Sequence, residues 1–161
     1  MKQVLVLIAA SFVGTALNVW WLSGFLPGFL LPDFAFLAVV YAGLFVDGPL
    51  GFLAALAAAL FREATVPAPP WTFFLSSLSL YFLAREVGLR LFVRAESFVL
   101  ATTLSLLVLE SATMAALSLL AGSNPFSLVW CAEEAVRVAW TSLAAVPLFM
   151  DLSGRWREVA E

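Results

Sequence analysis

Histidine is absent from this sequence, and cysteine occurs once, as Cys131. Without imidazole, the usual metal ligand and the usual general base are both missing. A lone thiol cannot close an intramolecular disulfide, and Cys131, set among apolar neighbours, reads as an inert packing residue. Charge is scarce as well. Only 12% of the 161 residues are Asp, Glu, Lys or Arg, against about 25% in soluble domains. So few charges cannot coat a water-facing shell around a core. The formal net charge of -3, with no stripe of Lys and Arg interleaved with aromatics, excludes a nucleic-acid surface. Gly-x-Ser-x-Gly elbows, phosphate-cradling glycine loops and His/Cys metal spacings are all lacking. The chain is expected to be no enzyme, and to hold neither cofactor nor metal.

Apolar residues are what the chain has in excess. They make up 63% of it, with a mean hydropathy of +1.03, where soluble domains have about 45–50%. The implied solvent is lipid. A helix needs about 20 apolar residues to cross hydrocarbon, and the sequence predicts an all-α polytopic membrane protein with six transmembrane helices. These form a single integral membrane domain over 1–161, with approximate spans 4–22, 29–46, 50–66, 71–89, 98–121 and 126–149. The first run is long, ends in Trp20-Trp21 and leads into further spans, so it reads as a helix rather than a cleaved signal. Pro32-Asp33 opens the second span. Pro147 is expected to kink or end the sixth.

The segment 34–61 admits two readings. Split at Asp47-Gly48-Pro49, it gives two runs that are each short for a span; unsplit, it is one overlong helix. Charge placement decides, because cytoplasmic connections collect Lys and Arg. With six spans and both termini cytoplasmic, Lys2, Arg85, Arg90, Arg94, Arg155 and Arg157 fall inside and only Arg62 outside. Five spans from the same start move most of those arginines outside. The six-span arrangement also sets Trp20, Trp21, Trp71 and Trp130 near the outer interface, where tryptophans anchor.

Glu110 and Arg137 interrupt the last two spans at equal sequence distance from the turn at Gly122-Ser123-Asn124-Pro125. In a helical hairpin they meet at one depth. An isolated charge there costs roughly 2.5–3.5 kcal/mol on insertion scales, and such residues face a partner, a cavity or a functional path. Glu133 and Glu134 precede Arg137 by about one helical turn, so one arginine serves several carboxylates. Glu110, Glu133, Glu134 and Arg137 are therefore the expected buried polar network. It reads as an ion cluster fixing helix packing, with a ligand- or partner-facing site as the alternative.

Small residues recur at four-residue spacing: Ala10 and Gly14 on the first span, Gly51, Ala55 and Ala59 on the third. Such faces let helices approach closely in lipid, either within the chain or against a partner. These five are the candidates for packing against a partner's transmembrane helix. Asp33 suits a helix cap, and Asp47 a turn. Arg85, Arg90 and Arg94 form a cytoplasmic basic cluster, suited to anionic headgroups or to a cytoplasmic protein.

The layout resembles the bacterial rod shape-determining protein MreD family over most of the chain. A Pro-Asp at the start of an early span is matched by Leu31-Pro32-Asp33-Phe34. A Phe-Val-Arg-x-x-x-Phe stretch is matched by Phe92-Val93-Arg94-Ala95-Glu96-Ser97-Phe98. A final span passing through proline into aspartate and a basic tail is matched by Pro147, Asp151, Arg155 and Arg157. One departure stands out. Where members carry Gly-x-x-x-Asp near the outer end of the third span, this chain has Phe61-Arg62-Glu63-Ala64, with Glu63 as a substitute.

The resemblance implies a fold similar to the substrate-binding subunits of energy-coupling factor transporters. It implies a non-enzymatic scaffold of the cell-elongation machinery in the bacterial cytoplasmic (inner) membrane, helping to position peptidoglycan synthesis. Its partners would be the transmembrane helix of MreC and, directly or indirectly, MreB, RodA and a penicillin-binding transpeptidase. Two rival expectations stand beside it. One is a substrate-capture subunit of a vitamin or metal-ion importer, with Glu110, Glu133 and Arg137 lining the pocket. The other is a proton-coupled secondary transporter.

Overall fold

The computed structural model describes residues 2–20, 25, 30–65, 71–90, 96–120, 122 and 126–153. They form six helices and no strand: α1 (Lys2–Trp20), α2 (Phe34–Phe45), α3 (Gly48–Thr65), α4 (Thr72–Arg90), α5 (Glu96–Leu120) and α6 (Leu128–Ser153). By length and composition, Glu96–Leu120 and Leu128–Leu152 are able to cross a membrane, whereas Leu5–Leu17 and Phe34–Phe45 are apolar but shorter.

The segment 34–61 is split, as the Asp47-Gly48-Pro49 signal required. Val46 turns to extended backbone, and Gly48 takes φ +71, which closes α2 and opens α3. At the other end α2 begins at Phe34, not at residue 29. Pro32 restricts the chain there, and the Asp33 carboxylate accepts the Phe36 N–H at 2.8 Å, so the helix is stopped by its own cap. Twelve residues rise only about 18 Å, well short of about 30 Å of hydrocarbon. Residues 35–43 are nevertheless all buried, because protein surrounds this helix. The last helix continues through Pro147 to Ser153 instead of ending there. Proline removes one i to i−4 bond, and a helix already packed on its neighbours survives the loss.

The bundle is built around α2, which packs against α1, α3, α4 and α6. Close approach is bought with small side chains at each crossing. A Cβ on Gly14 of α1 would stand 2.6 Å from the Phe34 ring, and one on Gly43 of α2 would stand 2.7 Å from the Ala84 Cβ. Gly51 backs onto the Val46 carbonyl, and Gly88 onto Leu44. Gly14, Gly51, Ala55 and Ala59 are buried inside the chain and Ala10 is half-buried. Of the five expected to receive a partner helix, Gly14 and Gly51 thus face atoms of this chain's own second helix and the turn after it.

Contacts at the two ends of α2 show the helices alternating in direction. Its N-terminal end meets the C-terminal half of α1 (Gly14 on Phe34) and the C-terminal end of α3 (Arg62 on Asp33). Its C-terminal end meets the start of α3 and the end of α4. Helices α5 and α6 pair as a hairpin and reach the rest through α4 and α2. Gly122 at φ +80 donates its N–H to the Leu119 carbonyl and stops α5, while the Ser127 hydroxyl accepts the Trp130 N–H and starts α6. Large apolar side chains cover the outer faces, among them Leu5, Leu53, Leu75, Val108, Trp140 and Leu143. Contiguous apolar surface of that kind marks an interaction or membrane surface, not one facing bulk water.

Candidate functional site

The most buried cation is Arg62, one turn from the end of α3 and 2% exposed. Its guanidinium spans two helices. Nη1 and Nη2 donate to Oε1 and Oε2 of Glu110 on α5, the second bond measuring 2.9 Å. Nη2 also lies 2.8 Å from Oδ2 of Asp33 at the cap of α2. Such planar, two-pronged pairing is what a guanidinium gives and an ammonium cannot. The Phe73 and Phe36 rings stand 4.8 Å and 5.8 Å from its central carbon, placing aromatic faces against the cation. Its Nε is buried and finds no acceptor among the described residues. Ser76 of α4 adds a hydroxyl donor to Glu110 Oε1 at 3.1 Å.

A second ionic group continues the first. Arg137 on α6 donates through Nε to Glu134 Oε2 at 3.0 Å and through Nη2 to Glu134 Oε1. Its Nη1 lies 3.7 Å from Asp33 Oδ2, so the aspartate joins both arginines. Ser111 of α5 donates to Glu134 Oε1. The Asp33 backbone N–H donates to Thr141 Oγ1 of α6 at 3.3 Å. Three of these links, Arg62–Glu110, Arg137–Asp33 and Asp33–Thr141, cross from the α2–α4 core to the α5–α6 hairpin. The cluster is a clasp.

The expected pairing of Glu110 with Arg137 is therefore corrected. Equal distance from a hairpin turn sets equal depth, not the same face, and a third helix supplies Glu110 with Arg62. Glu110, Glu134 and Arg137 do belong to one ionic cluster, with Glu110 buried and the other two half-buried, whereas Glu133 lies exposed on α6. Arg62 was assigned to an outer loop, and its role was missed. A signal existed, since Gly51, Ala55, Ala58 and Arg62 fall at four-, three- and four-residue steps on one helical face, and all four are buried. Glu63 does not enter the cluster. Its carboxylate accepts the N–H groups of Trp71 and Phe74 and so caps α4, holding Trp71 at φ +68.

The basic cluster at the other end of α4 is only partly described. Arg85 donates to the Tyr81 hydroxyl at 3.5 Å, Arg90 pairs with Glu86 in the open, and Arg94 lies outside the described residues.

Two concavities flank the clasp. One, of about 470 Å³ between α4 and α5, has Glu110, Ser76, Ser79 and Thr113 among leucines. The other, of about 620 Å³, runs along the outer face of the hairpin, with Ala112, Ala116, Ala135 and Ala139 on its two sides and Ser111 and Glu134 also in its lining. Small residues on both helices leave room for a third helix to lie between them. Among known proteins, no family model, curated sequence or solved structure matches this chain.

Proposed function

We propose that this chain is a non-enzymatic membrane scaffold of the kind its motifs resemble, an MreD-like component of the bacterial cell-elongation machinery. On this reading it crosses the cytoplasmic membrane six times with both termini in the cytoplasm. The short α2 is carried across inside a sleeve of longer helices. The alternating helix directions and the apolar outer faces support that topology. The tryptophans support it too. Trp71 and Trp130 lie at the start of α4 and near the start of α6, and Arg62, Glu110 and Asp33 join those ends of the bundle.

The observation that carries the reading is the alanine-lined groove on the α5–α6 hairpin. It receives the single transmembrane helix of MreC, and the ionic clasp holds the two groove walls at a fixed distance. In lipid such docking is driven by close packing, because apolar area gains little in moving from lipid to protein. Ala116→Leu and Ala139→Leu fill the groove from either wall. Each is expected to lower co-purification of MreC by about tenfold or more, equivalent to about 1.4 kcal/mol. Leu53→Ala, at an exposed position on α3 outside the groove lining, leaves recovery unchanged. Full recovery with both groove variants removes the proposal.

A second reading, the substrate-capture subunit, draws on the cavity between α4 and α5. Against it, both Glu110 oxygens are already engaged by Arg62. Calorimetry with candidate vitamins distinguishes the two.

A further inference from the structure

The clasp does not balance. It contains three carboxylates, Asp33, Glu110 and Glu134, and two guanidiniums, Arg62 and Arg137. Both arginines are shared: Arg62 serves Asp33 and Glu110, and Arg137 serves Glu134 and Asp33. In sequence, residues 21–32, 66–71 and 121–127, which link these helices, contain neither Lys nor Arg. The remaining acids at this end, Glu63 and Glu133, add to the surplus. An uncompensated charge away from water is costly, so a cation from outside the chain is favoured here.

Position singles out the carboxylate that meets it. Glu110 borders the other cavity, between α4 and α5, and its carboxylate is engaged there by Ser76 and Arg62. Asp33 is held from its own helix by Phe36 and from across by both arginines. Glu134 alone of the three lines the α5–α6 groove. Its hydroxyl partner is divided as well: Ser111 has one proton for two acceptors, Glu134 Oε1 and the Leu107 carbonyl at 2.9 Å. Whenever that proton serves Leu107, Glu134 Oε1 keeps Arg137 as its donor and loses Ser111.

We propose that the groove selects a transmembrane helix carrying one basic side chain, Lys or Arg, at the depth of Glu134. This residue lies about 9 Å along α6 from its first residue, in the outer part of the span on the topology above. The proposal rests on the groove being the partner site and adds the chemistry of the partner: small apolar residues for the alanines and a single cation for Glu134. Packing alone accepts any slender apolar helix. The charge makes the choice among them, because a helix without it leaves the clasp unneutralised.

The test uses the full chain in phosphatidylglycerol vesicles and energy transfer to synthetic Ala/Leu helices of about 20 residues. Probes carry Lys, Gln or Leu at one position, placed at the depth of Glu134 or one helical turn to either side. The Lys probe is expected to associate about tenfold more tightly than the Leu and Gln probes, with a maximum at the matching depth. Glu134→Gln abolishes that preference, so that the Lys, Gln and Leu probes associate alike. If this variant loses its fold, as read by its elution in detergent, the depth scan on the unaltered chain decides alone. A flat profile overturns the proposal. Equal binding of Lys, Gln and Leu probes overturns the charge and spares the groove. Binding of no probe, or binding indifferent to Ala116→Leu, removes the groove itself. A Lys preference that vanishes when phosphatidylethanolamine is added assigns the cation to a lipid amine, and overturns the partner.

Discussion

Arg62 on α3 grips both carboxylate oxygens of Glu110 on α5, across a boundary where the two parts of the bundle otherwise touch through few elements. Removing one partner of a buried ion pair leaves the other charge stranded, at a cost of about 3–5 kcal/mol. Arg62→Met is expected to destabilise by that amount in thermal or denaturant unfolding in detergent. Arg62→Lys recovers little of it, because an ammonium cannot reproduce the two-pronged contact.

The double variant Arg62→Met, Glu110→Leu separates the worth of the pair from the harm of an orphan. Replacing both charges by apolar groups of similar volume is often neutral or mildly stabilising. It should therefore unfold nearer the parent than either single variant does. A strictly additive loss in a double-mutant cycle would show that these residues do not act on each other.

Gly43 lies where α2 crosses α4, and an added Cβ would also come 2.8 Å from the Tyr81 carbonyl oxygen. Backbone cannot yield as a side-chain tip does. Gly43→Ala is expected to cost about 1–3 kcal/mol through overpacking, despite the better helix propensity of alanine. The unfolding midpoint of the purified variant checks it.

Glu63 satisfies two N–H groups at the start of α4 and holds Trp71 in the left-handed region, where a bulky residue is an outlier. Glu63→Ala should lose about 1–2 kcal/mol and leave MreC recovery unchanged, since Glu63 does not line the groove.

The Arg90–Glu86 pair provides the contrast. Both side chains are mostly exposed, and such pairs contribute about 0–1 kcal/mol. Arg90→Ala is expected to leave the midpoint within the scatter of replicate scans.

Much of this architecture was legible before any coordinates. Asp47-Gly48-Pro49 announced the break between α2 and α3, and Asp33 behind Pro32 announced a cap, because turn and cap chemistry act within a few residues of sequence. Glu110, Glu134 and Arg137 stood out by burial in apolar runs. What sequence reasoning could not supply was the pairing. Depth along a hairpin is a one-dimensional quantity, whereas the partner of Glu110 is set by which helix lies beside α5. Arg62 was hidden by its neighbours: followed closely by Glu63 and a Pro-rich stretch, it looked like loop, although its spacing from Ala55 and Ala58 kept it on the buried face. The small-residue stripe was found, but not that Gly14 and Gly51 meet this chain's own second helix and the turn after it, since a helix that accepts close approach does not specify whose helix approaches.

The enclosure of α2 has a consequence for biogenesis. Its cap residue binds Thr141, which lies 108 positions later in the chain, so the second helix to be synthesised completes its surroundings only when the sixth arrives. Until then a segment too brief to anchor itself has only α1, α3 and α4 around it, with Asp33 and Arg62 able to pair in advance of their later companions. Maturation is then expected to end with the closing of the α5–α6 hairpin over the Asp33–Arg62 pair.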